Sequence, residues 1–293
     1  MLERVSDRGV LSSLRYLFAD FIGEDDDTPP FLPAALPASV VEVASDAINL
    51  LIEYQGTTYA QLYVDRLKRF IGKNGVDDAM LGEIARLMAV RMSYEDPIRI
   101  AQLKLAELND PGKQPSVDIR KFRLDELVGS LPAMVAEYLL MVLDWVGWAA
   151  RSHVSIRFST ASRVGIRRLR IEAGLRRWRL LSIRYTKERV WVERWLHMID
   201  RALTKEPAAA NAIVQTATMI EGYGDVYLQG MADWEVVIGD LAKPTFDRVL
   251  ALPDLAAAIA EARAAATPDP RQVALKRKIA ELRAQVPAGV NAA

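Results

Sequence analysis

Apolar residues return every three or four positions through most of this chain, which predicts helices rather than strands. Val40, Val43, Ala47, Leu50, Leu51 and Tyr54 fall on one face of a helix expected over 40–53, with Ser39 as its N-cap. Ala60, Tyr63, Val64, Leu67 and Phe70 repeat the pattern over 57–71, and a third helix is expected over 77–92. Asp96-Pro97 then reads as a cap followed by proline at the first helical turn, starting a helix over 98–108. Four amphipathic helices on short links predict a bundle.

The loop at 109–117 holds two prolines and a glycine, and the pattern changes beyond it. Residues 131–150 are apolar almost all round, so a central, buried helix is expected there. A membrane span is the weaker alternative, because Glu137 and Asp144 would each cost roughly 2.5–3.5 kcal/mol at mid-bilayer. Val154, Ile156 and Phe158 alternate with Ser155, Arg157 and Ser159, the one clear period of two and hence one short extended segment. Helix resumes over 164–181, 186–203 and 208–221, with a solvated helix over 271–285 behind Pro268-Asp269-Pro270. A first helix over 11–21 precedes an acidic, proline-containing linker. The expected architecture is all-α, a multi-helix bundle formed as one body or as two packed lobes. It divides into an N-terminal helix and linker (1–36), a helical lobe (37–108), a larger lobe with Arg-rich helices (118–266) and a C-terminal helix and tail (267–293).

Lys plus Arg and Asp plus Glu number 38 each, so no global field draws the chain to nucleic acid or lipid. The absence of cysteine removes disulfides, thiolate nucleophiles and Cys-held iron–sulfur clusters. The first residues show no apolar stretch behind a basic start, so a cytoplasmic location is the default expectation. His153 and His197 are the only histidines, too few for a histidine-rich metal site. No P-loop, Gly-x-Gly-x-x-Gly after a strand, or Gly-x-Ser-x-Gly elbow is present. No metal site and no catalytic residue is therefore assigned.

Charge concentrates between positions 151 and 201, where fourteen cations, thirteen of them Arg, face four carboxylates. Arg163, Arg167 and Arg170 share one helical side, with Arg177 one row along and Arg184 further on. Guanidinium pairs bidentately with carboxylate or phosphate, so these five are the candidate anion or partner docking residues. Three readings stand together here: a solvated face paired within the fold, a docking surface for an acidic partner or for cofactor phosphates, and nucleic-acid binding. Nucleic acid is the least supported, because no zinc, homeodomain or RNP-like pattern accompanies the basic stretch. Trp178, Trp191 and Trp195 sit at helical spacing, which points to core rather than a stacking platform.

Three phrases stand out: Tyr54-Gln55-x-x-x-Tyr59-Ala60-x-x-Tyr63-x-x-Arg66-Leu67, Tyr94-Glu95-Asp96-x-Ile98-Arg99-Ile100-Ala101, and Gly222-Tyr223-Gly224-Asp225 followed by Gly230. Between them lie Gly165, Leu169, Leu175-Arg176, Arg179, Ser182, Arg184-Tyr185, Glu188 and Trp195-Leu196. In order and approximate spacing they resemble the helical C-terminal region of the indolepyruvate oxidoreductase beta subunit, a family of 2-oxoacid:acceptor oxidoreductases. The resemblance covers about 40–238. It implies a non-catalytic helical piece of an enzyme in which thiamine diphosphate decarboxylates an aryl-pyruvate, coenzyme A accepts the acyl group and iron–sulfur clusters carry the electrons away. Those cofactors are expected in partner subunits and none on this chain. The resemblance also implies a gamma-type domain ahead of this region, so the expected partners are a thiamine-dependent catalytic subunit and a gamma-type subunit, with neither membrane nor nucleic acid.

Gly222, Tyr223, Gly224 and Asp225 are the candidate interface loop, or else a helix C-cap built on two glycines. The sequence departs from the family around them. Glu221 stands where a basic residue is usual, and Val226, Tyr227, Leu228 and Gln229 replace polar and basic positions. The alternative to an oxidoreductase subunit is a free-standing helical interaction or regulatory module.

Overall fold

Pro37 fixes the chain direction at the start of the first described helix, α1 (Ala38–Tyr54). The computed structural model describes residues 28–110, 112, 114–131, 133–146 and 153–285. The helix expected at 11–21 and most of the acidic linker lie outside them. Ser39 is not the cap of α1: it is already helical, and its hydroxyl donates to Asp78 at 3.0 Å. Val40, Ala44, Ala47, Ile48, Leu51 and Tyr54 form the buried face of α1. Then follow α2 (Thr57–Leu67) and α3 (Asp78–Met92), the latter capped by Asp77, which accepts from the Met80 N–H at 2.7 Å. Asp96 caps α4 (Pro97–Glu107) as its sequence suggests, accepting from the Arg99 N–H at 2.6 Å.

Strand β1 (Val117–Arg123) pairs antiparallel with β2 (His153–Ser159), Val117 opposite Ser159 and Arg123 opposite His153. Between them lie α5 (Leu124–Gly129) and α6 (Ala133–Val146). Helix α7 (Arg163–Gly174) continues into a 3-10 helix (Leu175–Leu181), and the long α8 (Ile183–Lys205) follows. After α9 (Ala210–Gln215) and a 3-10 turn (Thr216–Met219), α10 (Gly224–Val237) runs through a π turn (Ile238–Ala242) into α11 (Lys243–Phe246). The described chain closes with α12 (Leu255–Ala265) and α13 (Val273–Ala284). The fold is all-α, and the one small sheet among the described residues has two strands.

The main core joins the first three helices to the last six: Leu51, Tyr63 and Ile84 share it with Trp195, Ile213, Trp234, Ile259 and Ile279. Trp191 stacks on Trp195 at 6.0 Å and meets Trp234 edge-on at 5.2 Å. A separate, smaller core of Ile100, Ala101, Phe122, Phe158 and Leu169 sits under the β-hairpin, α4 and α7. Packing therefore divides the chain differently from its loops. Residues before and after the 109–117 loop share one interior, and 98–174 forms a side unit on it.

Three expectations are corrected. Helix α6 is not central: Tyr138, Met141 and Trp145 are 65%, 61% and 88% exposed. A helix that is apolar all round must be covered, but the sequence does not say by what, and among the described residues α6 packs chiefly on α5. Helix α13 is not merely solvated, because Leu275, Ile279 and Leu282 enter the main core. Trp178 is not core, being 55% exposed.

Close packing fixes Gly165, where a Cβ would lie 2.3 Å from the Ser159 carbonyl oxygen, and Gly230. A Cβ on Gly230 of α10 would lie 2.2 Å from the Met219 carbonyl oxygen and 3.1 Å from Ile220 Cα, both backbone. Gly230→Ala is expected to cost about 1–3 kcal/mol by urea denaturation. Gly239→Ala, where a Cβ meets nothing within 4 Å, stays within about 0.5 kcal/mol of the parent.

Candidate functional site

Two arginines organise the polar interior. Arg179, in the 3-10 helix after α7, is 1% exposed and donates from Nε and Nη2 to the two Asp96 carboxylate oxygens at 2.7 and 3.0 Å. Its Nη1 reaches the Tyr54 carbonyl at 2.8 Å and Gln55 Oε1 at 3.0 Å, and its guanidinium lies 3.8 Å above the Tyr54 ring. Asp96 thus caps α4 and holds Arg179 at once. Burial alone would weaken the Arg179 charge, but Asp96 and Tyr54 outweigh it and hold the proton more firmly than usual.

Arg184 opens α8. Its Nη1 donates to Glu126 of α5 at 2.5 Å and its Nε to Glu188 at 3.3 Å, and its guanidinium lies 3.8 Å from the Tyr227 ring centroid. Glu188 also pairs with the buried Arg91 of α3, whose Nη1 donates to the Ile220 carbonyl at 3.0 Å. Three helices of the main core, α3, α8 and α10, and α5 of the side unit meet on this chain of charges.

Beside it lies a cavity of about 400 Å³. Arg184, Glu126, Tyr227 and Gly224 line one part, Arg123, Lys187 and Asp144 bring further charge, and Leu140, Ile183, Leu228 and Met231 supply apolar wall. Arg184 Nη2 and Glu126 Oε2 are buried without a hydrogen-bond partner among the described residues. Such a cavity suits a small polar molecule or the tip of a partner side chain.

The glycine pair opens α10 rather than closing the helix before it. Gly222 and Gly224 hold φ of 64° and 65°, the left-handed region that favours glycine. Tyr223 packs on Phe122 at 5.0 Å and accepts from Arg120 Nη1 at 3.4 Å. Asp225 accepts from Arg123 Nη1 at 2.5 Å, while Arg123 also forks onto Asp125. The Arg123 hydrogen bond holds the Asp225 carboxyl below the usual range. Burial pushes the hydroxyls of Tyr54, Tyr94 and Tyr227 upward. Each of these shifts moves a group away from neutral pH, which suits positioning rather than proton transfer.

The structure thus brings together two of the candidates read from the sequence, Arg184 and the Gly224 loop, at one cavity. Arg163, Arg167, Arg170 and Arg177 are elsewhere: all four are exposed on α7 and its 3-10 extension, and none lines the cavity. Other cations of the basic stretch are paired within the fold, Arg168 with Glu172, Arg194 with Glu235 and Arg201 with Asp247. Glu126, Tyr227 and Lys187 were not legible as site residues. Only Glu188, four residues after Arg184 on one helix, carried a local signal. Among the described residues no group of three His, Cys, Asp or Glu side chains is placed to hold a metal. None of the described helices is long and apolar enough to cross a membrane.

The polar interior of this helical body is arginine–carboxylate pairing, and among the described residues the apolar helix α6 beside it is exposed along one side. Residues 40–240 match a family of unknown function, DUF6537, and because they make up most of the chain, the protein belongs to that family. No curated protein and no solved structure matches it.

Proposed function

We propose that this chain is a non-catalytic helical subunit of an indolepyruvate-type 2-oxoacid oxidoreductase, packing on the thiamine-dependent catalytic subunit. The observation that carries the docking role is α6. Tyr138, Met141, Val142 and Trp145 recur at helical spacing on one side of it and are all exposed. Contiguous apolar surface of this kind marks a partner site, and Trp, Tyr and Met are the side chains that interface centres favour. The enzyme context rests on the resemblance of the aromatic and arginine phrases, which lie in the region that the family match covers. In this reading thiamine diphosphate, coenzyme A and the iron–sulfur clusters belong to the partners, and the cavity beside α6 accepts part of the interface.

The test is co-purification with the thiamine-dependent subunit. Met141→Ser with Trp145→Ser is expected to lower recovery of that subunit at least about tenfold while helicity and thermal midpoint hold. Undiminished recovery removes α6 from the interface. A parent chain that recovers no such subunit favours the alternative, a free-standing helical interaction module.

A further inference from the structure

A second surface stands apart from α6 and from the identity of the enzyme. On the outward side of α7, Val164 and Ile171 are 80% and 60% exposed. Leu175, Trp178 and Leu181 follow at 40%, 55% and 40%. Val164, Ile171 and Leu175 share one side of an α-helix. From Leu175 the backbone is 3-10, with three residues per turn, so Leu175, Trp178 and Leu181 stand directly above one another. The change of helix type thus carries one apolar row onward for about 30 Å in all. The opposite side of α7 buries Leu169 in the small core, so this row is the side left over.

Arginines run beside it with the same repeat. Arg163, Arg170 and Arg177 each directly precede Val164, Ile171 and Trp178, seven residues apart, and Arg167 lies on the same flank as Arg163 and Arg170. No carboxylate lies within ion-pair distance of these four among the described residues, whereas Arg168 is held by Glu172 at 2.7 Å. A seven-residue apolar row bordered by unpaired cations is one half of a helix–helix seam; its complement is a helix with apolar a and d positions flanked by glutamates.

We propose that the outward face of α7 and its 3-10 extension docks an acidic amphipathic helix of a protein partner. Charge complementarity selects an acidic occupant, and the apolar row selects a helix over a nucleic-acid backbone. Phosphates would occupy the arginines while leaving Val164, Ile171 and Trp178 against a charged strand. Trp and Arg together are also the pair most enriched among residues that dominate binding energy.

The probe is a fluorescein-labelled peptide of about 21 residues, three heptads with Leu at a and d and Glu at the flanking positions, against the same peptide with Lys for Glu. Anisotropy with the whole chain is expected to show saturable binding of the Glu peptide, with the Lys peptide at least about tenfold weaker. Arg163→Glu, Arg170→Glu and Arg177→Glu together, or Trp178→Ser alone, weaken the Glu peptide at least about tenfold; these side chains are exposed, so circular dichroism stays unchanged. Met141→Ser with Trp145→Ser leaves peptide binding unaltered, which separates this surface from the α6 interface. Failure of the Glu peptide to bind, or equal binding of both peptides, overturns the proposal. Tighter binding of a duplex oligonucleotide of matching length overturns it in favour of nucleic acid.

Discussion

Arg179→Ala is expected to lower stability by about 3–5 kcal/mol, among the largest effects of any single substitution in this fold. The guanidinium is 1% exposed and makes four hydrogen bonds, two of them to Asp96, whose own side chain is about 5% exposed. Removing it leaves a buried carboxylate whose remaining hydrogen bond among the described residues is from the Arg99 N–H, and strips the cation from the Tyr54 face. In a chain of this size a loss of about 4 kcal/mol corresponds to a fall in thermal midpoint of roughly 6–7 °C. Arg179→Met with Asp96→Leu should recover part of the loss, since no charge is then stranded, although the α4 cap is forfeited at about 1 kcal/mol. If the single variant unfolds within about 1 kcal/mol of the parent, Arg179 does not hold these elements together.

Glu188→Leu is expected to cost a similar amount, about 3–5 kcal/mol, for the opposite reason. Glu188 is the carboxylate shared by Arg91 and Arg184, and all three side chains are at most 8% exposed. Its loss leaves two buried guanidiniums with Glu126 as the one carboxylate among the described residues still bonded to either. The change also reaches the cavity, because Arg184 and Tyr227 line it and both face Glu188. Paired urea denaturation and hydrogen exchange should therefore show a global loss together with faster exchange at the start of α10. Glu188→Gln, which keeps the shape and hydrogen-bonding capacity, is expected to lose less. Equal losses for Gln and Leu would show that packing rather than charge matters at this position.

These two networks explain why parts of the chain were legible and others were not. The amphipathic helices α1, α2, α3 and α4 follow from local spacing and caps, because Asp77 and Asp96 act within three residues of themselves. Strand β2 was visible through its alternation, but β1 was not. Val117 and Ile119 face one way and Phe122 the other, so neither side of β1 is consistently apolar. Loops mark only local breaks, whereas the main core is assembled from helices roughly one hundred residues or more apart, as the Arg66–Glu193 and Arg91–Glu188 pairs record.

The phrases that carried the resemblance have a physical basis. Tyr54, Gln55 and Asp96 surround Arg179, while Arg184 and Glu188 form the second network beside Tyr94. Buried charges demand particular partners, so such residues form recognisable phrases without doing chemistry. The arginines left out of these networks, Arg163, Arg167, Arg170 and Arg177, could not be told apart by sequence. Only the fold shows which cations have carboxylates and which face outward.

The central claim, a non-catalytic subunit of a thiamine-dependent oxidoreductase, is tested most directly by isolating this chain natively from its own cells. Partners would be identified by mass spectrometry and the eluate read by absorbance. The account predicts a stoichiometric cysteine-rich, thiamine diphosphate-binding partner and the brown absorbance of iron–sulfur clusters. A colourless chain recovered alone, or with proteins that bind no thiamine diphosphate, would contradict it.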